Sequence, residues 1–272
     1  QIMRITFVGG GNMASALIGG LLNNGFQTSQ IAVIEREEEG RSRLEELFHI
    51  RCFATPSEEP LTCDALVLAV KPQQMRDACQ PLQGLLKQQL VISVAAGLRL
   101  SVLSRWLGGY DRLIRAMPNT PALIGAGLTG LYALPSVSEA ERLGAERIVQ
   151  AVGRSLWVSS EEQIDALTAI SGSGPAYVFL FIEALQQAAT EFGFSTKQAR
   201  QLSIETVLGS ARLASLSEEP VSVLRERVTS KGGTTEAALR VMTKRKLKEI
   251  IIAGTQAAKE RGAEIGELMD KE

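Results

Sequence analysis

Two stretches of the chain place glycines and small polar residues directly ahead of an apolar helical pattern. VGGGNMASALIGG runs from Val8 to Gly20, and VTSKGGTTEAAL runs from Val228 to Leu239. The chemistry this permits is anion binding, because the unpaired N–H groups of a first helical turn and the helix dipole point at the same spot. In the first stretch Gly9, Gly11 and Ala14 fit the GxGxxA pattern, with Asn12 and Met13 opening the helix. There glycines allow a tight turn and close approach of backbone to a pyrophosphate, and alanine allows close helix–strand packing. In the second, Ser230, Thr234 and Thr235 add hydroxyl donors to the N–H groups of Gly232 and Gly233. Two anions are therefore expected, held more than two hundred residues apart in sequence.

Other chemistries are excluded by count. His49 is the only histidine, which rules out a histidine triad or a multi-histidine metal site. Cys52, Cys63 and Cys79 are odd in number and too widely spaced for CxxC chemistry, so they read as isolated reduced thiols. No metal is expected. A net charge of −1 gives no electrostatic reason for nucleic acid or an anionic membrane as partner. The longest apolar runs, ALVLAV and YVFLFIEAL, fall short of the roughly 20 residues that span a bilayer. No secretory pattern precedes the first strand, an apolar run that leads straight into glycines, so the expectation is a cytoplasmic protein.

The elements that must position these groups follow from periodicity. RITFVG (4–9), IAVIE (31–35), DALVLAV (64–70), LVISVA (90–95) and RLIRAM (112–117) read as strands, with GLTGLYAL (127–134) and SLWVS (155–159) as two more. Amphipathic segments lie between them, including 13–25 and 40–48. SEAERLGAERIVQAVG opens with a capping box from Ser138 to Glu141 and closes at Gly153. This alternation predicts an α/β fold: an N-terminal Rossmann-like, doubly wound parallel sheet over residues 1–160. From about Glu161 every segment is helical, which predicts an all-α domain over 161–272. Its consecutive Tyr177, Val178, Phe179, Leu180, Phe181 and Ile182 need cover on every side, so a dimer through these helices is expected.

Within that frame Glu35 ends the second strand, 21 residues past Ala14. An acid there suits the ribose 2′-hydroxyl of NAD, whereas Arg36 suits the 2′-phosphate of NADP; Arg41 and Arg43 add charge or form a solvated helix face. Ala69, Val70, Lys71 and Pro72 follow the next strand, at the sheet edge where ligands bind. Lys71 either faces phosphate or ribose there, or simply precedes a proline that starts a helix. Asn119 and Thr120 lie in the PNTP turn after RLIRAM, placed to contact nicotinamide or substrate or to make a rigid turn. Ser171, Ser173 and Gly174 precede Pro175 at a helix start.

GGGNMASALIGGL, LAVKPQQM, RAMPNTPALIGAGLTGLY, ISGSGPAYVF and VTSKGGTTEAAL occur in this order, at spacings that resemble the pyrroline-5-carboxylate reductases from Met3 to at least Leu247. The resemblance implies reduction of the cyclic imine 1-pyrroline-5-carboxylate to L-proline, the last step of proline biosynthesis. NADPH or NADH would be the coenzyme, with a slight lean to NADPH. It implies a homodimer through interlocking C-terminal helices, active sites completed near that interface, and in some members larger assemblies of dimers. It assigns the carboxylate of the substrate to Ser230, Gly232, Gly233, Thr234 and Thr235, and a hydrogen bond to the imine nitrogen to Thr235. Two departures stand out. Lys231 replaces a common proline, where it either meets the substrate or points to solvent, and an asparagine common on the adenine side is replaced in ATPSEEP. A β-hydroxyacid dehydrogenase shares the layout, but its lysine acid/base has no counterpart in ISGSGPAYVFLFIEAL, where the nearest downstream is Lys197. A catalytically silent NADP-binding sensor would need no second anion site.

Overall fold

The structure, a computed structural model, describes residues 3–272; Gln1 and Ile2 lie outside them. Eight strands form one sheet: β1 (Ile5–Val8), β2 (Ile31–Ile34), β3 (Arg51–Phe53), β4 (Ala65–Leu68), β5 (Leu90–Ser93), β6 (Leu113–Met117), β7 (Gly127–Ala133) and β8 (Gly153–Trp157). Their order is β3-β2-β1-β4-β5-β6-β7-β8. The run from β3 to β6 is parallel, β7 lies antiparallel to β6, and β8 is again parallel to β7. From β1 the chain moves first to one side (β2, β3) and then to the other (β4, β5). A crevice is therefore left outside the carboxyl ends of β1 and β4.

The strands are apolar on both faces because helices cover both. Ile5, Phe7, Val67 and Ile92 pack into one core with Leu17, Ile18 and Leu21 of α1 (Asn12–Asn23) and Leu44 of α2 (Glu38–Phe48). Val8, Leu66, Leu68 and Val91 pack into the other. Its cover includes α3 (Glu58–Leu61) through Leu61, α4 (Pro72–Cys79) through Met75 and Cys79, and α5 (Leu100–Trp106) through Leu103. The strand β3 was not foreseen: it is three residues long, with Arg51 exposed, so no alternation marks it. In α6 (Glu139–Val149) the expected capping box is present, Ser138 accepting from the Glu141 N–H and Glu141 from the Ser138 N–H. The helix ends before Gly153, which instead begins β8.

Two compact units divide between Ser173 and Gly174, and residues 258–272 belong with the sheet unit. The compact units thus divide later in the chain than the 160/161 at which the strands give way to helices. The helix α7 (Glu161–Leu167) and a π-helical turn at Thr168–Gly172 stay with the sheet, where Leu167 presses on Gly130 of β7 and Asp165 reaches β6. The second unit holds α8 (Gly174–Glu191), α9 (Thr196–Leu216), α10 (Val221–Arg227), α11 (Thr234–Lys244) and the first part of α12 (Leu247–Asp270). In α8 only Ala189 is buried, and Phe179 and Leu180 are 65% and 66% exposed. The helical run Glu161–Glu191 is long enough to cross a membrane, with mean hydropathy 1.2. Uninterrupted apolar stretches had not revealed that property.

Candidate functional site

The turn between β1 and α1 is shaped by what surrounds Gly9. Its φ is +96°, a conformation costly for any residue with a Cβ, and a Cβ there would lie 2.7 Å from Val70 Cγ1 and 2.8 Å from the Ala69 carbonyl oxygen. Gly9 N–H donates to the Ile34 carbonyl and Ala69 N–H to the Val8 carbonyl, so the turn and the Ala69–Val70 segment are set by the strand ends themselves. Gly11 is the N-cap of α1 and carries no side-chain cap; a Cβ on it would meet no atom within 4 Å. Together, uncapped amides at Asn12 and Met13 and open space over Gly11 fit a pyrophosphate. The first glycine turn lies at the sheet's switch point. Lys71 is exposed there as the N-cap of α4, with Pro72 at the first helical position.

Glu35 is placed differently from a side chain waiting in solvent. Its Oε2 accepts the Gly10 N–H at 2.8 Å and its Oε1 the Glu37 N–H at 3.1 Å. Arg41 donates to the carbonyls of Glu35 (3.0 Å) and Arg36 (2.7 Å), and Arg43 donates to the Gly10 carbonyl at 2.6 Å. These two arginines brace the turn, Arg41 half-buried and Arg43 from an exposed position. Among the described residues Arg36 makes no such bond and is exposed, 3.7 Å from Glu37.

The PNTP turn also has structural work. Asn119 Oδ1 accepts the Leu128 N–H at 2.9 Å, and its Nδ2 donates to the Ser171 carbonyl at 3.0 Å. Its amide therefore ties the turn to the π-helical segment that contains Ser171 and leads into Ser173, and any ligand contact would come in addition. π-helical turns are frequent at functional sites, because one extra residue re-aims the chain. Upstream, Arg115 on β6 is 2% exposed and lies 3.3 Å from both Glu161 Oε1 and Asp165 Oδ1 of α7, while Glu161 Oε1 also accepts the Leu100 N–H. RLIRAM shows only an arginine within a strand; its partners 46 and 50 residues on carried no signal.

In the helical unit the second glycine loop closes on itself. Gly232 has φ +74°, the left-handed turn that lets Gly233 N–H reach the Ser230 carbonyl at 3.1 Å. Gly233 then N-caps α11 without a side-chain cap. Among the described residues, no protein group is hydrogen-bonded to the hydroxyls of Ser230, Thr234 or Thr235, and no side chain caps the α11 first turn. Glu236, which the sequence reading passed over, reaches back to the Gly232 N–H at 3.4 Å and pairs with Arg240 at 2.9 Å. A glutamate two residues after the first helical threonine is a capping signal in the sequence. The Gly232 N–H is thus weakly engaged, leaving the hydroxyls and the Thr234 and Thr235 amides as the open donors. Lys231 is exposed.

Thiol chemistry is remote from both loops' needs. Burial pushes the Cys52 and Cys63 thiols up to about 11 and that of Cys79 to about 12, so at neutral pH they stay protonated. Among the described residues no cluster of metal-ligating side chains occurs.

Known proteins resemble the chain over nearly its whole length. Residues 4–97 match the family described as NADP oxidoreductase, coenzyme F420-dependent, and residues 161–265 match pyrroline-5-carboxylate reductase dimerisation. A pyrroline-5-carboxylate reductase of Pseudomonas aeruginosa is 43% identical, covering 98% of each chain. The solved structure of a pyrroline-5-carboxylate reductase from Coxiella burnetii superimposes with TM-score 0.93 at 42% identity, over 97% of this chain and 99% of that one. A Plasmodium falciparum pyrroline carboxylate reductase, solved with NADP bound, superimposes with TM-score 0.84 at 28% identity over 97% and 98%. The sheet unit is accordingly Rossmann-like and the helices are those of the dimerisation model. On fold and on identity over nearly its whole length, the chain belongs to the pyrroline-5-carboxylate reductase family.

Proposed function

We propose that the chain reduces 1-pyrroline-5-carboxylate to L-proline with a reduced nicotinamide coenzyme. The observation that carries the reading is the identity of 43% across 98% of a curated reductase, joined to two uncapped glycine-loop helix starts. Gly11, Asn12 and Met13 would hold the pyrophosphate through backbone N–H groups, Gly9 shaping the turn with its own N–H on the Ile34 carbonyl, and Ala69, Val70 and Lys71 would form the opposite wall of the crevice. When bound, the coenzyme supplies a hydride to the imine carbon. Ser230, Thr234 and Thr235 would hold the substrate carboxylate at the N-terminus of α11, where the helix dipole contributes up to about 1–2 kcal/mol toward a negative group. Thr235 would also donate to, or accept from, the imine nitrogen. An iminium can arrive already protonated from water, so hydride addition leaves a neutral secondary amine and asks for no histidine.

The apolar faces of α8 and α12, with Phe179, Leu180, Ile250 and Ile252 each more than half exposed, support a homodimer whose partner covers them. That role accounts for the apolar run Glu161–Glu191 without a membrane. Assembly of dimers into larger particles and a cytoplasmic location accord with this reading.

Thr235→Ala is the direct test. It should lower kcat for the imine by about a hundredfold, the lower end of the cost of removing one preorganised donor to a reacting group, and leave coenzyme affinity within twofold. Thr235→Ser should recover most of the loss. Collapse of coenzyme affinity in Thr235→Ala would move that threonine to the wrong site and remove the carboxylate assignment with it.

A further inference from the structure

Which coenzyme the chain prefers depends on the ribose end of the dinucleotide, and the inference rests on the dinucleotide reading above. We propose that Glu35 is the specificity-determining residue and makes the protein prefer NADH over NADPH, reversing the lean suggested by resemblance.

The carboxylate is held where it would meet an adenosine ribose. It sits at the carboxyl end of β2, beside the glycine turn, on two backbone donors: Gly10 N–H at 2.8 Å and Glu37 N–H at 3.1 Å. Its stem is confined as well. A Cβ on Gly40 would come within 2.9 Å of Glu35 Cγ, and one on Gly10 within 3.2 Å of Oε2, so the side chain is packed between the turn and α2. A carboxylate fixed in this way only accepts hydrogen bonds. It matches a 2′-hydroxyl, which can donate, and opposes a 2′-phosphate, which carries like charge and brings no proton to share.

The arginines that might offset this are committed elsewhere. Arg41 is directed at the carbonyls of Glu35 and Arg36, and Arg43 at the carbonyl of Gly10. Arg36 is left, with 73% of its side chain in solvent and Glu37 at 3.7 Å. The N-terminus of α2, another place for a phosphate, is already occupied by Glu38 and Glu39 in its first turn. Between positions 35 and 43 there are four glutamates (35, 37, 38, 39) against three arginines (36, 41, 43), a net charge of −1 where a phosphate would have to sit.

The test is direct titration of NADH and of NADPH into the full-length protein without substrate, at fixed ionic strength, followed by coenzyme fluorescence. The wild-type chain should bind NADH at least about tenfold more tightly, the order expected for one like-charge contact in a partly screened crevice. Glu35→Gln keeps an acceptor for the Gly10 N–H and removes the charge, so NADPH affinity should rise by about tenfold while NADH affinity falls by no more than about threefold. Arg36→Ala should leave the NADH:NADPH ratio unchanged. Tighter binding of NADPH by the wild-type chain, or selective loss of NADPH affinity in Arg36→Ala, overturns the proposal and gives the selection to the arginine. Binding of neither coenzyme by the folded protein would overturn the dinucleotide reading itself. Should Glu35→Gln fail to fold, the wild-type ratio and Arg36→Ala still decide.

Discussion

Replacing Arg115 by methionine is expected to destabilise the protein by about 3–5 kcal/mol, because it leaves two carboxylates facing a site built for a cation. The arginine side chain is 2% exposed, whereas those of Glu161 and Asp165 are 22% and 13% exposed, so little water can take its place. Methionine preserves the length and apolar character of the stem, which isolates the loss of the guanidinium from a simple cavity. The ion triad ties β6 to α7, and Glu161 extends it to the first turn of α5 through the Leu100 N–H at 3.0 Å. Urea unfolding of Arg115→Met measures the loss. The triple variant Arg115→Met, Glu161→Gln, Asp165→Asn should recover at least about half of it, since buried ion groups are costly mainly when one partner is missing. A loss of less than about 1 kcal/mol in the single variant would mean water replaces the guanidinium. Activity in the surviving fraction should also fall, since α7 leads into the π-helical turn whose Ser171 carbonyl holds Asn119.

Gly9→Ala is the second large effect. The added methyl would need to occupy space 2.7 Å from Val70 Cγ1 and 2.8 Å from the Ala69 oxygen, at φ +96°. Backbone in that region costs a non-glycine residue about 1–3 kcal/mol, and relief requires β1's turn to move away from the Ala69–Val70 segment. Coenzyme affinity should therefore fall by about a hundredfold or more, equivalent to nearly 3 kcal/mol, while far-ultraviolet circular dichroism stays native. Gly11→Ala makes the comparison informative. Its Cβ meets no protein atom within 4 Å, so unfolding stability should fall only by about 0.5–1 kcal/mol, the cost of the poorer N-cap, yet coenzyme binding should weaken because that space is where the pyrophosphate would approach. Equal coenzyme affinity in Gly11→Ala and wild type would show that the dinucleotide does not lie over this turn.

Sequence and structure agree where chemistry is local. The GxGxxA turn, the capping box at Ser138 and the glycine–threonine start of α11 each consist of neighbouring residues whose backbone demands can be read directly. What escaped the sequence reading is long-range or short. Arg115 needs partners on a helix that returns only after β7 and β8, and β3 is too brief to show a period. Asn119 read as a possible ligand contact because its amide's actual partners, Leu128 and Ser171, lie 9 and 52 residues away. Glu35 and Arg36 were legible as opposing signals, but their balance depends on where Arg41 and Arg43 point, which no spacing rule supplies. The attachment of α7 was hidden for a similar reason: its sequence is helical, but Arg115 and Leu167 against Gly130 hold it to the sheet.

The central claim is the reaction, and it is tested most directly by mixing the purified protein with racemic 1-pyrroline-5-carboxylate and reduced coenzyme, NADH and NADPH separately. Coenzyme oxidation is followed by absorbance, and the product is identified by chromatography. The account predicts one L-proline formed for each coenzyme oxidised, with only one substrate enantiomer consumed. A folded protein that binds coenzyme but forms no proline with either one would contradict it, leaving a reductase architecture without that activity.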